Sequence, residues 1–178
     1  SEINSSSLLK AHGVNSVTAV QSEFSLWTRT PENEIMETCR RLNVGFVPYS
    51  PLGRGMFTNN VPKREQLEKS DVRNALPRFE ASNFQKNKNA LGDLGQLAEE
   101  KGVAIGQLAL SWILAKGEFI VPIPGTKRIE FLEENIGCSE ISLSLDDIRR
   151  LESLFPKSGA WGNRYRKEML GLTQQESA

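Results

Sequence analysis

The sequence is poor in the residues that metal and covalent chemistry need. Of 178 residues, one is a histidine (His12) and two are cysteines (Cys39 and Cys138). No spacing among them suits a metal ion. Two isolated cysteines make no disulfide framework either, and reduced core thiols in a cytoplasmic protein are expected. His12 falls on an expected surface helix and reads as a solvated side chain. Charge of one sign is also missing, since Lys+Arg and Asp+Glu number 22 each. That balance argues against a broad nucleic-acid or membrane-surface face. No apolar run reaches the length of a bilayer-spanning helix. Internal repeats and low-complexity tracts do not stand out. What remains is an ordinary globular composition, 38% hydrophobic and 25% charged, at a length that suits one domain with a workable core.

Against this background two stretches carry information. Residues 45–55 read G-F-V-P-Y-S-P-L-G-R-G: a short β-favouring run that stops in a loop of Pro and Gly. Gly53 and Gly55 remove side chains where something must come close, and Arg54 between them adds a fixed positive charge. The residues alone leave two readings, a tight turn or a turn opened toward a ligand. Residues 119–135 read F-I-V-P-I-P-G-T-K-R-I-E-F-L-E-E-N. Here an apolar run again ends at Pro and Gly, followed by a hydroxyl, two cations and a helical spacing. Free N–H groups and the positive end of a helix dipole favour phosphate at such a place.

The rest of the chain alternates in the same way. Residues 5–7 are placed to cap a short helix ended by Gly13, and residues 17–21 read as a buried strand. Thr30 and Pro31 have the form of a helix start, leading into an apolar stripe of Ile35, Met36, Cys39 and Leu42. Residues 56–85 form a long connection without periodicity, of the kind that is usually functional or mobile. Helices are expected over residues 87–101, over 103–116, and from 128 to 136. A last one is capped by Ser144. The polar tail from residue 156 offers Trp161 and Tyr165 as docking points, and its final residues are expected to be disordered. Strands alternating with helices imply parallel pairing. Spacing alone permits a small doubly wound sheet, as in a flavodoxin-like binding domain.

Three ordered motifs narrow the choice. Y-S-P-L-G-R-G (residues 49–55), I-P-G-T-K-R-I-E-F-L-E-E-N (residues 123–135) and V-Q-S-E-F-S-L-W (residues 20–27) resemble the aldo-keto reductase family, and most of all its bacterial and plant branch. The resemblance spans residues 1–155, leaves residues 156–178 as a tail, and covers the later half of the family's chain. It implies an α/β fold, strands six to eight of a TIM (β/α)8 barrel, whose strand-end loops build the site. It further implies NADPH-dependent hydride transfer to an aldehyde or ketone. The family's catalytic Tyr, Lys, Asp and His come from the earlier half and have no counterpart here. Position 1 is Ser, and Ser1-Glu2 would sit just past the fifth strand, so the chain reads as part of a longer one.

The resemblance also assigns candidate NADP(H)-binding residues. Tyr49 corresponds to the aromatic under the nicotinamide ring, and Ser1, Glu2 and Gln21 to its carboxamide end. Gln21 has a second reading as a buried amide satisfied by backbone. Ser50, Pro51, Leu52, Gly53, Arg54 and Gly55 would wrap the pyrophosphate. Gly125, Thr126 and Lys127 would hold the adenosine 2′-phosphate, with Glu134 and Asn135 at the adenine. Phe131 stands where relatives often have Arg or Gln and reads equally as packing. Arg78 reads either as a phosphate clasp or as a solvated loop side chain. The expected partners are a small carbonyl substrate and the missing N-terminal half of the same barrel. The other function left open is a nucleotide-binding half-barrel or partner-dependent module without redox chemistry.

Overall fold

The computed structural model describes residues 1–61, 63–157, 159–171, 173 and 174. The final residues 175–178, expected to be disordered, lie outside the described residues. In chain order α1 (Ser5–Val14) leads to β1 (Ala19–Glu23), α2 (Ile35–Leu42) and β2 (Gly45–Tyr49). Among the described residues four 3-10 turns then precede α3 (Ala81–Asn89), α4 (Leu91–Glu100) and α5 (Ile105–Leu114). The chain closes with α6 (Ile129–Ile136), α7 (Leu145–Leu154) and the short α8 (Lys167–Leu170).

β1 and β2 pair in parallel, with Ala19 opposite Gly45 and Glu23 opposite Tyr49. The third expected strand appears as an extended segment over residues 119–123, bridged to β2 at Phe46 and Ile120. Val121 and Ile123 donate their N–H groups to Phe46 and Pro48 at 2.9 and 3.0 Å. Pro122 and Pro124 alternate with these two donors, so the N–H groups they lack are missing from the side away from β2.

Alternation along the strands divides the sheet into two faces. Val20, Ser22, Phe46, Pro48 and Ile120 are buried and carry the core. Phe24 stacks on Trp112 of α5 with ring centroids 5.3 Å apart. Arg29 and Lys116 place cations 5.3 and 4.5 Å from the Trp112 ring centroid. Each large apolar side chain so covered contributes about 1.5–3 kcal/mol. On the opposite face Ala19 and Gln21 are exposed, Val47 and Tyr49 half-buried, and Val121 and Ile123 are 60% and 44% exposed. That face lacks a covering layer among the described residues, except at the C-terminal ends of the strands, where the tail crosses it.

Several sequence expectations shift. Asn4 is the cap of α1, accepting from the Ser7 N–H at 2.9 Å, and the helix runs past Gly13 to Val14. Thr30 and Pro31 open a 3-10 turn, and α2 begins at Ile35 without a side-chain cap. The helix expected over residues 87–101 is two helices meeting at Ala90. The Ser144 expectation matches, in a reciprocal capping box with Asp147. Both cysteines are unpaired and buried, and burial pushes the Cys39 thiol up to about 11. Among the described residues no helix is long and apolar enough to cross a membrane, and no cluster suits a metal ion.

Candidate functional site

The loop after β2 is wound tightly on itself. Ser50, Gly53, Arg54 and Gly55 all have positive φ. The Ser50 and Leu52 carbonyls accept the N–H groups of Gly53 and Gly55 at 3.0 and 3.1 Å. Left-handed backbone at Ser50 and Arg54 is strain that the surrounding structure must hold in place. Gly53 is required by its neighbours, since a Cβ there would lie 2.8 Å from the Phe57 ring. Of the two readings that the residues left, the tight turn accounts for Gly53 through this contact.

Across from this loop, the Pro124-Gly125 turn enters α6. Thr126 Oγ1 accepts the Arg128 N–H at 3.1 Å and so shapes the helix entry. Between the two loops lies a cavity of about 200 Å³. Leu52, Gly125, Thr126, Phe131, Glu134 and Asn135 line it, together with Thr58, Asn59 and Asn60. Asn135 is 6% exposed, Phe131 is partly covered by Arg128 with 5.5 Å from guanidinium carbon to ring centroid, and Lys127, next to Thr126, is exposed. Residues 58–60 escaped sequence reading because a polar T-N-N tract in a long connection has no periodicity to mark it.

The other candidate residues gather elsewhere, around a buried carboxylate. Glu23, 3% exposed, accepts from Arg54 at 2.7 Å and from Thr28 Oγ1 at 3.0 Å, with Arg78 3.7 Å away. Arg54 therefore turns inward to Glu23 instead of lining the cavity with Thr126. Arg78 is neither a phosphate clasp standing open nor a solvated loop residue. It donates to Thr28 Oγ1 at 2.7 Å and to the Trp27 and Gly162 carbonyls. Gln21 lies mid-strand and exposed, not at a strand end and not buried. Its carbonyl accepts from the Ser1 hydroxyl and the Glu2 N–H, both at 3.0 Å.

Glu2 and Tyr49 complete this second cluster. Glu2 Oε1 accepts the Glu23 N–H at 2.7 Å, and Oε2 meets Arg164 of the tail at 2.6 Å. The Tyr49 and Tyr165 hydroxyls lie 3.1 Å apart. Burial, then the Tyr165 hydrogen bond and the negative charges of Glu2 and Glu23, hold the Tyr49 phenol well above its ordinary range, so it stays protonated. Tyr165 thus docks the tail through its hydroxyl. Trp161 does so through its backbone, which exchanges two 2.9 Å hydrogen bonds with the Asn87 side chain. Glu23 and Arg164 were not singled out from sequence. The available signal was a lone acid inside the apolar S-E-F-S-L-W run, which burial requires to be paired.

Comparison with known proteins bears on the family and the fold. Residues 1–155 match the model of the aldo/keto reductase family. A probable aldo-keto reductase of Glycine max is 44% identical over 170 residues, which is 93% of this chain and 47% of that protein. Among solved structures, the glycerol dehydrogenase of Gluconobacter oxydans superposes with a TM-score of 0.71 at 22% identity, over 78% of this chain and 43% of that one. A point mutant crystallised with NADPH gives 0.61 at 19% identity, over 99% of this chain and 49% of that one. At such identities the likeness bears on the fold, and the reductase barrels fit it. The chain spans about half the length of the curated relative it matches.

Proposed function

Because the chain belongs to the aldo/keto reductase family, we propose that it is the cofactor-binding part of an NADP(H)-dependent reductase of aldehydes or ketones. One observation carries this reading: the two strand-end loops, far apart in sequence, meet at the cavity between Leu52 and the α6 entry. An open cleft outside the carboxyl ends of parallel strands is where such folds take phosphorylated ligands. Thr126 and Lys127 sit at the 2′-phosphate, Glu134 and Asn135 at the adenine, and the loop of Ser50, Pro51 and Leu52 along the pyrophosphate. Gly53 and Gly55 give that loop its shape, and Arg54, tied to Glu23, fixes it from behind. Tyr49, Gln21, Ser1 and Glu2 form the nicotinamide end. When bound, NADPH supplies a hydride for the carbonyl carbon. The acid that protonates the oxygen comes from outside this chain.

Lys127→Ala is expected to weaken NADPH binding in the intact protein by about 1–3 kcal/mol and to leave NADH nearly unchanged, as for a lost charge-assisted contact. Fluorescence titration with both cofactors checks it. Equal weakening of the two would contradict a 2′-phosphate role.

In this reading β1, β2 and the segment over residues 119–123 are strands six to eight, and the uncovered face is the inside of the barrel. α6 supports the same view from outside. Ile129, Leu132 and Ile136 are 71%, 49% and 62% exposed, an apolar stripe waiting for a neighbouring helix. The 178-residue chain produced alone is expected to bind a hydrophobic dye strongly and to associate in solution. Co-production with the first half of a relative's barrel should abolish both. A monodisperse 19.9 kDa monomer that ignores the dye would favour a self-sufficient nucleotide-binding half-barrel.

A further inference from the structure

Residues 164 and 165 of the tail make contacts that simple anchoring does not require. Arg164 brings a guanidinium whose side chain is 2% exposed against Glu2. Buried ion pairs contribute little net stability, because desolvation offsets the attraction. Apolar contacts would hold a tail at lower cost. The same Glu2 binds the tail a second time, through its carbonyl and the Gln174 N–H at 2.9 Å. Gln174 in turn accepts from the Ser7 hydroxyl at 2.7 Å. Tyr165 accepts from Arg54 at 3.0 Å and reaches Tyr49 at 3.1 Å. The Arg164 guanidinium carbon lies 4.9 Å from the Tyr165 ring centroid.

We infer that Arg164 and Tyr165 are positioning residues for the nicotinamide end of the site, Tyr165 fixing the plane of the Tyr49 ring and Arg164 fixing Glu2. This rests on the cofactor reading above. A phenol held at its root by β2 and at its tip by a hydrogen bond loses rotation about its side-chain torsions. A stacking platform held in this way is pre-organised for a flat ring before the ligand arrives. The tail thereby joins two groups that lie on opposite sides of β1: the Glu2 backbone at its outer edge and the Tyr49 ring on β2.

The test uses the intact protein with Tyr165→Phe, which keeps the ring and removes the hydroxyl. Affinities are measured for NADPH and for 2′,5′-ADP, which has the adenosine end and no nicotinamide. The expected result is a three- to tenfold loss for NADPH, about the worth of one hydrogen bond, with 2′,5′-ADP unchanged. Tyr49→Phe, which removes the bond between the two phenols but leaves Arg54 its acceptor on Tyr165, should give a similar loss, and the double variant little more. Unchanged NADPH affinity in Tyr165→Phe, or equal losses for both ligands, would overturn the positioning role while leaving the cofactor reading intact. A wild-type protein that binds neither ligand would overturn both.

Discussion

Glu23→Ala is expected to cost the fold about 3–5 kcal/mol, the usual result of stripping one partner from a buried charge cluster. Glu23 is the acceptor for Arg54, Thr28 and, at longer range, Arg78. The side chains of those two arginines are 21% and 13% exposed. Without the carboxylate they face each other with little water to screen them. Glu23→Gln keeps an acceptor and should cost clearly less. Denaturant unfolding of the three proteins measures the difference. A loss below about 1 kcal/mol for alanine would mean that both arginines find water or new partners, and that the cluster is looser than its distances imply.

Gly53→Val should be nearly as damaging, about 2–5 kcal/mol. Two independent costs add: about 1–2 kcal/mol for a left-handed residue with a Cβ, at φ +57, and about 1–3 kcal/mol for overpacking. The clash partner cannot step aside. Phe57 is fully buried, with the Trp27 and Phe155 rings 5.2 and 5.4 Å away. Thermal unfolding of Gly53→Val and Gly53→Ala checks the size. Pairing Gly53→Ala with Phe57→Leu should relieve the overpacking but not the backbone strain. Full stability with lost cofactor affinity would return this glycine to the role the sequence suggests, an opening for the ligand.

Local signals were readable where one residue decides a local outcome. Ser144 caps α7 because a hydroxyl three residues ahead of an acid suffices for a capping box. The two strand-end loops were readable because Gly and Pro punctuate apolar runs. Thr30-Pro31 carries the same kind of signal and misleads: the next residues close a 3-10 turn, and α2 takes its position from Ile35, Met36 and Cys39 in the core. The destination of a long charged side chain is less legible still. Arg54 reads as a phosphate ligand between two glycines, yet its guanidinium goes to a carboxylate on another strand and a phenol 111 residues further on. Sequence spacing holds no record of such a meeting. The pairing of Arg164 with Glu2 escaped for the same reason.

The prolines beside β2 have one more effect. Along residues 119–124 the amides facing β2 belong to Val121 and Ile123. On the far rim Ile120 gives its hydrogen to the Gly117 carbonyl, while Pro122 and Pro124 have none to give. That rim can receive but never offer. Two copies laid side by side would meet oxygen against oxygen, so zipper-like growth through this border is refused, and only an unlike strand rich in hydrogens can close the ring there.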